Sequence, residues 1–200
     1  MSIRRVLPAV TRRPTPWKNG GGTTTELAVF PADAGMNDFI WRVSIAEVRT
    51  AGPFSDFHGV DRILSVLEGE LALVVADAPE RRLTSADAPL PFPADIPVTG
   101  TPIDDDVRDL NVMIRRNMCR AEVERLPGGT VHVDGKGETC LMIVATGDAA
   151  VAHGASVETL RPFDALLFEV PIPESIAVKS AESSFAIRLR LYQDGKTSEE

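Results

Sequence analysis

Val60-Asp61-Arg62-Ile63-Leu64-Ser65-Val66-Leu67-Glu68-Gly69-Glu70-Leu71-Ala72-Leu73-Val74-Val75 sets the architecture of this chain. In a period-two strand Val60, Arg62, Leu64 and Val66 share one face, with Asp61, Ile63, Ser65 and Leu67 on the other. Glu68-Gly69-Glu70 interrupts the apolar run, and a glycine between charges reads as a turn. The stretch is therefore expected to be a β-hairpin, 60–67 against 71–75. Further strands are predicted over 40–48, 107–116, 139–145, 165–170 and 184–192, and Thr23-Thr24-Thr25 reads as the start of another. Fifteen glycines and fifteen prolines leave few windows long enough for helices. The expected class is all-β, barrels or sandwiches with no βαβ units.

Two hundred residues suffice for one large β-domain or two small ones. A net charge of −8 excludes a general nucleic-acid or anionic-membrane binder, because no basic surplus is available to neutralise phosphates. No segment has the apolar length of a membrane span, and the arginine-bearing N-terminus lacks the apolar core of a signal peptide. Two cysteines, Cys119 and Cys140, are too few for a disulfide framework. A cytoplasmic protein with reduced thiols is expected.

A weak internal repeat lays 64–73 over 142–151, each an apolar strand, a glycine followed by an acid, and a second apolar strand. Two related halves follow: an N-terminal barrel over 1–116, a structural C-terminal barrel over 117–193, and a disordered polar tail over 194–200. The segment 76–106, rich in Pro, Ala and Asp, reads as a strand-poor connection serving as a flap or lid.

The strand-turn pattern of the first half resembles a cupin. Setting Gly69 on the cupin turn glycine puts Asp56 and His58 where a metal-binding histidine pair would stand, and Arg62 where a glutamate ligand would be. A permanent cation among the ligands repels a metal ion, so the pocket is read as metal-free, with no cofactor. Arg62 shares its face with apolar residues, and burying it costs several kcal/mol unless an anion answers it. Its planar fork suits a carboxylate held bidentately. The alternative is an internal ion pair, with Glu26, Glu47 or Asp109 as partner. Cys140 stands at the matching position of the second half, so only the first half keeps an anion site. Ahead of these strands, Trp17-Lys18-Asn19-Gly20-Gly21-Gly22 supplies two donors beside a backbone that permits close approach.

Several motifs together resemble the HutD/Ves family: Pro16-Trp17-Lys18-Asn19-Gly20-Gly21-Gly22-Thr23 with Glu26, Trp41-Arg42-Val43-Ser44-Ile45-Ala46, Gly52-Pro53-Phe54-Ser55, Phe57, Gly59, Asp61 and Arg62, and Arg108-Asp109-Leu110-Asn111-Val112-Met113. They cover roughly residues 15–115, and His58 departs from the pattern, which has proline there. The resemblance implies a bicupin, two cupin-like jelly-roll halves in one chain, without a catalytic metal. It implies a role in histidine utilisation through binding of an intermediate such as urocanate or formylglutamate; Ves proteins are linked to cold and stress responses. Carried over by residue, Arg62 is the carboxylate anchor, Lys18 and Asn19 support it, and the amides of Gly20, Gly21 and Gly22 close over the ligand. Trp41 and Phe54 pack a planar guest, Asn111 offers an amide, and Ser44 or Arg42 lines the wall. A second class of function is a metal-independent isomerase or lyase with Lys18 as base and Glu26 as acid, and a third is a stress-related structural module with a vestigial pocket. The expected partner is a small carboxylate metabolite, with a homodimer through exposed strand edges compatible with the fold.

Overall fold

In the computed structural model, which describes residues 3–192, the stretch 60–75 does not turn back on itself. It is one strand, Val60–Val75, paired along its length with a second long strand, Val98–Arg115. The register slips between Val66 and Glu68 and again between Glu68 and Glu70, and Gly69 has φ of +82°. A Cβ there would sit 3.0 Å from the Asp106 carbonyl oxygen. Gly69 therefore makes a bulge, which bends the strand and lets it continue, in place of the expected hairpin turn. The local signal is the same for both outcomes. The true partner lies beyond the segment expected to be strand-poor.

That segment is itself largely strand. Numbered in chain order, β1 is Ile3–Leu7, β2 Thr15–Pro16, β3 Gly22–Phe30, β4 Trp41–Val48, β5 Gly52–Pro53, β6 Val60–Val75, β7 Arg81–Thr84, β8 Leu90–Pro93 and β9 Val98–Arg115. β7, β8 and the first half of β9 all fall within 76–106. Pro91 and Pro93 are tolerated because β8 pairs only with β6 among the described residues, leaving one side without a ladder to complete. The remaining strands are β10 Cys119–Leu126, β11 Gly129–Val133, β12 Cys140–Ala145, β13 Ala149–His153, β14 Ser156–Leu160, β15 Ala165–Glu169, β16 Ile176–Ser180 and β17 Ser184–Leu191. A 3-10 turn at Ala9–Thr11 is the one helical element among the described residues.

The chain divides into two units, Arg13–Met118 and the described residues on either side of it. In the first unit one sheet runs β2-β3-β4-β9-β6-β7, with β5 on β9 and β8 on β6. Leu64, Val66, Leu71, Leu73 and Val107 form its main apolar cluster. Phe39, Val60, Ala94 and Met113 form another. The second unit has a five-stranded sheet, β1-β15-β12-β17-β10, and a four-stranded sheet, β11-β16-β13-β14. Leu141, Ile143, Val151, Phe168 and Val178 fill its core. The residues before Arg13, grouped with the N-terminal half in the sequence reading, instead contribute β1 to the second unit through its ladder with β15. The polar tail expected over 194–200 lies outside the described residues.

One pairing scheme recurs in both units. The first half of β6 lies between β8 and the second half of β9, as β12 lies between β15 and β17. The second half of β6 lies between β7 and the first half of β9, as β13 lies between β14 and β16.

Candidate functional site

Strand alternation gathers the polar residues of the first unit. Register places Ser44 opposite Asn111, Ala46 opposite Asp109 and Arg42 opposite Met113, while Arg62 on β6 also faces Met113. Residues opposite one another project to the same side of a sheet. That side borders a cavity of about 690 Å³, closed further by Trp17, Phe54 and Phe57. Such a volume suits a small organic ligand.

Arg62 is 6 % exposed and forms no ion pair with Asp109 among the described residues. One Nη donates to the Ser55 carbonyl oxygen at 3.4 Å, and Nε has no partner. Three aromatic faces surround the guanidinium, with centroids 5.1 Å (Phe54), 5.8 Å (Phe57) and 5.9 Å (Phe92) from Cζ. Ring quadrupoles offset part of the desolvation cost. Burial nevertheless lowers the Arg62 pKa to about 10, against the opposing pull of Asp109.

Asp109 is 0 % exposed. Its Oδ1 accepts a short hydrogen bond from Nδ2 of Asn111, and its Oδ2 has no partner. Burial pushes its pKa up to about 7, although Arg62 and then the Asn111 bond pull the other way. Arg42 also lines the cavity, but its charge is answered by Glu26, 2.8 Å from Nε. Of the two arginines in the cavity, Arg42 thus has a carboxylate contact and Arg62, among the described residues, does not.

Of the residues picked from sequence, Arg62, Lys18, Asn19, Ser44, Phe54 and Asn111 all line this cavity. Lys18 and Asn19 stand exposed at its rim. Trp41 does not join them. It lies three residues from Ser44, hence on the opposite face of β4, stacked on Phe30 with centroids 6.0 Å apart. The amides of Gly20 and Gly21 are not free to close over a ligand either. Gly20 N–H donates to the Trp17 carbonyl oxygen at 3.0 Å, and Gly21 N–H to Oδ1 of Asn19 at 3.0 Å. The run has another use. A Cβ on Gly22 would collide with the Glu47 carbonyl and lie 3.1 Å from two Trp17 ring carbons, so glycine there seats the indole. Trp17 Nε1 then donates to Oγ1 of Thr24 at 2.7 Å. Glu26 is bound to Arg42 and is absent from the cavity lining.

Sequence reasoning gave Asp109 a role only as an ion-pair partner and gave Trp17, Thr24 and Phe57 no place in the cavity. The signal for Asp109 was present, since it sits two residues before Asn111 on one strand face. Among the described residues no group of three His, Cys, Asp or Glu side chains is arranged to hold a metal ion, and no helix is long and apolar enough to cross a membrane.

A family model described as HutD matches residues 9–186. A Pseudomonas putida relative described as an uncharacterized 21.2 kDa protein in the hutC 3'region is 33 % identical over 171 residues, 84 % of this chain and 88 % of that protein. Protein Ves of Citrobacter koseri is 36 % identical over 108 residues, 54 % of this chain and 56 % of its own length. The structure of HutD from Pseudomonas fluorescens, in a formate condition, superposes with a TM-score of 0.80 at 26 % identity, covering 96 % of this chain and all (100 %) of that one.

Proposed function

The chain belongs to the HutD family, and from that membership, which links it to histidine utilisation, we propose that it is a metal-free binding protein for a small carboxylate intermediate of that pathway. The observation that carries this reading is Arg62, a buried guanidinium in a cavity with an unpartnered Nε. Buried charges are retained when something answers them, and here aromatic faces and a distant carboxylate do so only in part. A guest carboxylate would complete the set with charge-assisted hydrogen bonds in a water-poor site. Urocanate and formylglutamate are the candidate guests. Sequestering one of them, or favouring the conformation that binds it, would let the protein report its level to the pathway.

The fold reading is a bicupin, supported by the recurrence of one pairing scheme in both units. Only the first has an arginine at this place; on the corresponding strand of the second unit the core face carries Leu141 and Ile143, and Cys140, set against Arg62 by the internal repeat, lies on the other face. Isothermal titration with urocanate and formylglutamate tests the function. Heat is expected with at least one, and its loss in Arg62→Met, an unbranched uncharged variant checked for folding by circular dichroism. Silence from both ligands, or undiminished binding by the variant, refutes the reading.

A further inference from the structure

Four charged side chains line the cavity: Lys18, Arg42, Arg62 and Asp109. Lys18 stands exposed at the rim, and Arg42 is answered by Glu26 from β3. Asp56 and His58, on either side of Phe57, are exposed and absent from the lining. Glu47 and Arg108 belong to the other face of the sheet, where they bond each other at 2.9 Å. The interior charge therefore reduces to one arginine and one carboxyl.

Arg62 and Asp109 stand on adjacent strands and one sheet face. Register sets Arg62 opposite Met113 and Val66 opposite Asp109, so the two lie four positions apart along the strands. No ion pair joins them among the described residues, yet each charge bears on the other. Oδ1 of Asp109 takes the Asn111 amide, and Oδ2 has neither partner nor solvent. Negative charge on Asp109 is thus answered by that amide and by Arg62. An amide N–H bonds a carboxylate or the carbonyl oxygen of a neutral acid alike, so Asp109 can take a proton and keep this contact.

A guest carboxylate on Arg62 withdraws half of that answer and adds a second anion to the same water-poor space. Two anions sharing one guanidinium there cannot both be paired, and the site relieves the repulsion by binding a proton. The guest, in direct contact with Arg62, keeps its charge, and Asp109 loses its own.

We propose that guest binding is coupled to a proton: Asp109 is a built-in competitor for Arg62, neutral while the guest's carboxylate is held and ionised in the guest-free protein at alkaline pH. This rests on the carboxylate reading of Arg62 and adds its regulation. Asp109 acts through the arginine and needs no contact with the guest. With its pKa at about 7, the guest-free protein changes charge near neutrality. The complex keeps a proton that the guest-free form releases, so affinity is full below about pH 7 and falls above it, by up to about tenfold per pH unit.

The test is calorimetric titration of wild-type protein with urocanate and formylglutamate from pH 6 to pH 8.5. The dissociation constant is expected to rise about tenfold between pH 6 and pH 8. Titrations at pH 8 in buffers of different ionisation enthalpy should show uptake of about one proton per guest, and almost none at pH 6. Asp109→Asn should bind with a nearly constant affinity across the range and take up no proton at pH 8. Urocanate has an imidazole that titrates on its own, and the same variant controls for it. A wild-type affinity that does not change with pH, with no proton taken up, overturns the proposal and leaves Arg62 as a carboxylate anchor; that comparison needs no variant to fold. The same pH dependence in Asp109→Asn assigns the proton elsewhere and overturns it as well. If neither acid binds at any pH, the carboxylate reading falls, and the coupling with it.

Discussion

Replacing Asp109 by asparagine should make the protein more stable at neutral pH and leave it unchanged in acid. The variant keeps the side-chain shape and an oxygen able to accept from Asn111, and it removes the ionisable group. In the wild-type protein burial holds the Asp109 pKa at about 7, against an ordinary value of 3.8. Between those pH values the folded form keeps a proton that the unfolded chain has released, so stability falls as pH rises, by about 1.4 kcal/mol per pH unit. Over about three pH units the loss reaches about 4 kcal/mol, then levels off above about pH 7. Arg62, with a pKa of about 10, stays charged across this window and does not blur it. Trp17 and Trp41, the only two tryptophans, both lie in the unit carrying the cavity, so urea unfolding followed by their fluorescence isolates the relevant transition. The difference in unfolding free energy between variant and wild type should be near zero at pH 4 and grow to a few kcal/mol at pH 8. A difference that stays constant from pH 4 to pH 8 refutes the claim that Asp109 is forced to ionise inside the fold.

Three further outcomes follow from the packing. Gly22→Ala should lower stability by about 2 kcal/mol or more, through the Cβ collision with the Glu47 carbonyl and the Trp17 ring; thermal melts and a shifted indole emission check it. Cys119 and Cys140 are buried and free, and burial pushes the Cys119 thiol up to about 12 and Cys140 in the same direction. Neither should react with a disulfide reagent at neutral pH until urea unfolds the protein, and rapid labelling of the native state would contradict this. His153 is buried edge-on to Phe168, with ring centroids 5.1 Å apart, and burial lowers its pKa. The unfolded chain therefore takes up a proton first as pH drops through the ordinary histidine range, and stability is lost on the acid side. His153→Leu should flatten that acid limb in melts compared at pH 5 and pH 7.5; an unchanged slope would count against it.

The inward side of Arg62 was legible because two-residue alternation is a local property: once Leu64 and Val66 point to the core, so does Arg62. The same rule gathers Ser44 and Asn111, and applied strictly it would have removed Trp41, three positions from Ser44. What alternation cannot supply is the partner of a strand. Glu68-Gly69-Glu70 satisfies the chemistry of a turn and of a bulge alike, and the choice was made by β9, whose first half was hidden in a proline-bearing segment. The glycine run was informative but misassigned. Its restraint is steric, from the Trp17 ring and the Glu47 carbonyl, and only coordinates reveal which neighbour approaches. The burial of Asp109 is likewise collective, since no single strand encloses it.

The ladder between β1 and β15 has a consequence for synthesis. β1 leaves the ribosome before any other strand described here, yet its partner, Ala165–Glu169, is translated near the end. At roughly 5–20 residues per second, β1 waits on the order of ten seconds, with the entire cavity-bearing unit emerging in between. During that interval β15's future neighbour is an unclaimed ribbon of backbone donors and acceptors, open to pairing with a second nascent chain. Trimming the protein ahead of Arg13 would not leave a harmless stump: it would strip the margin from a sheet assembled far downstream and leave β15 as the new unprotected border.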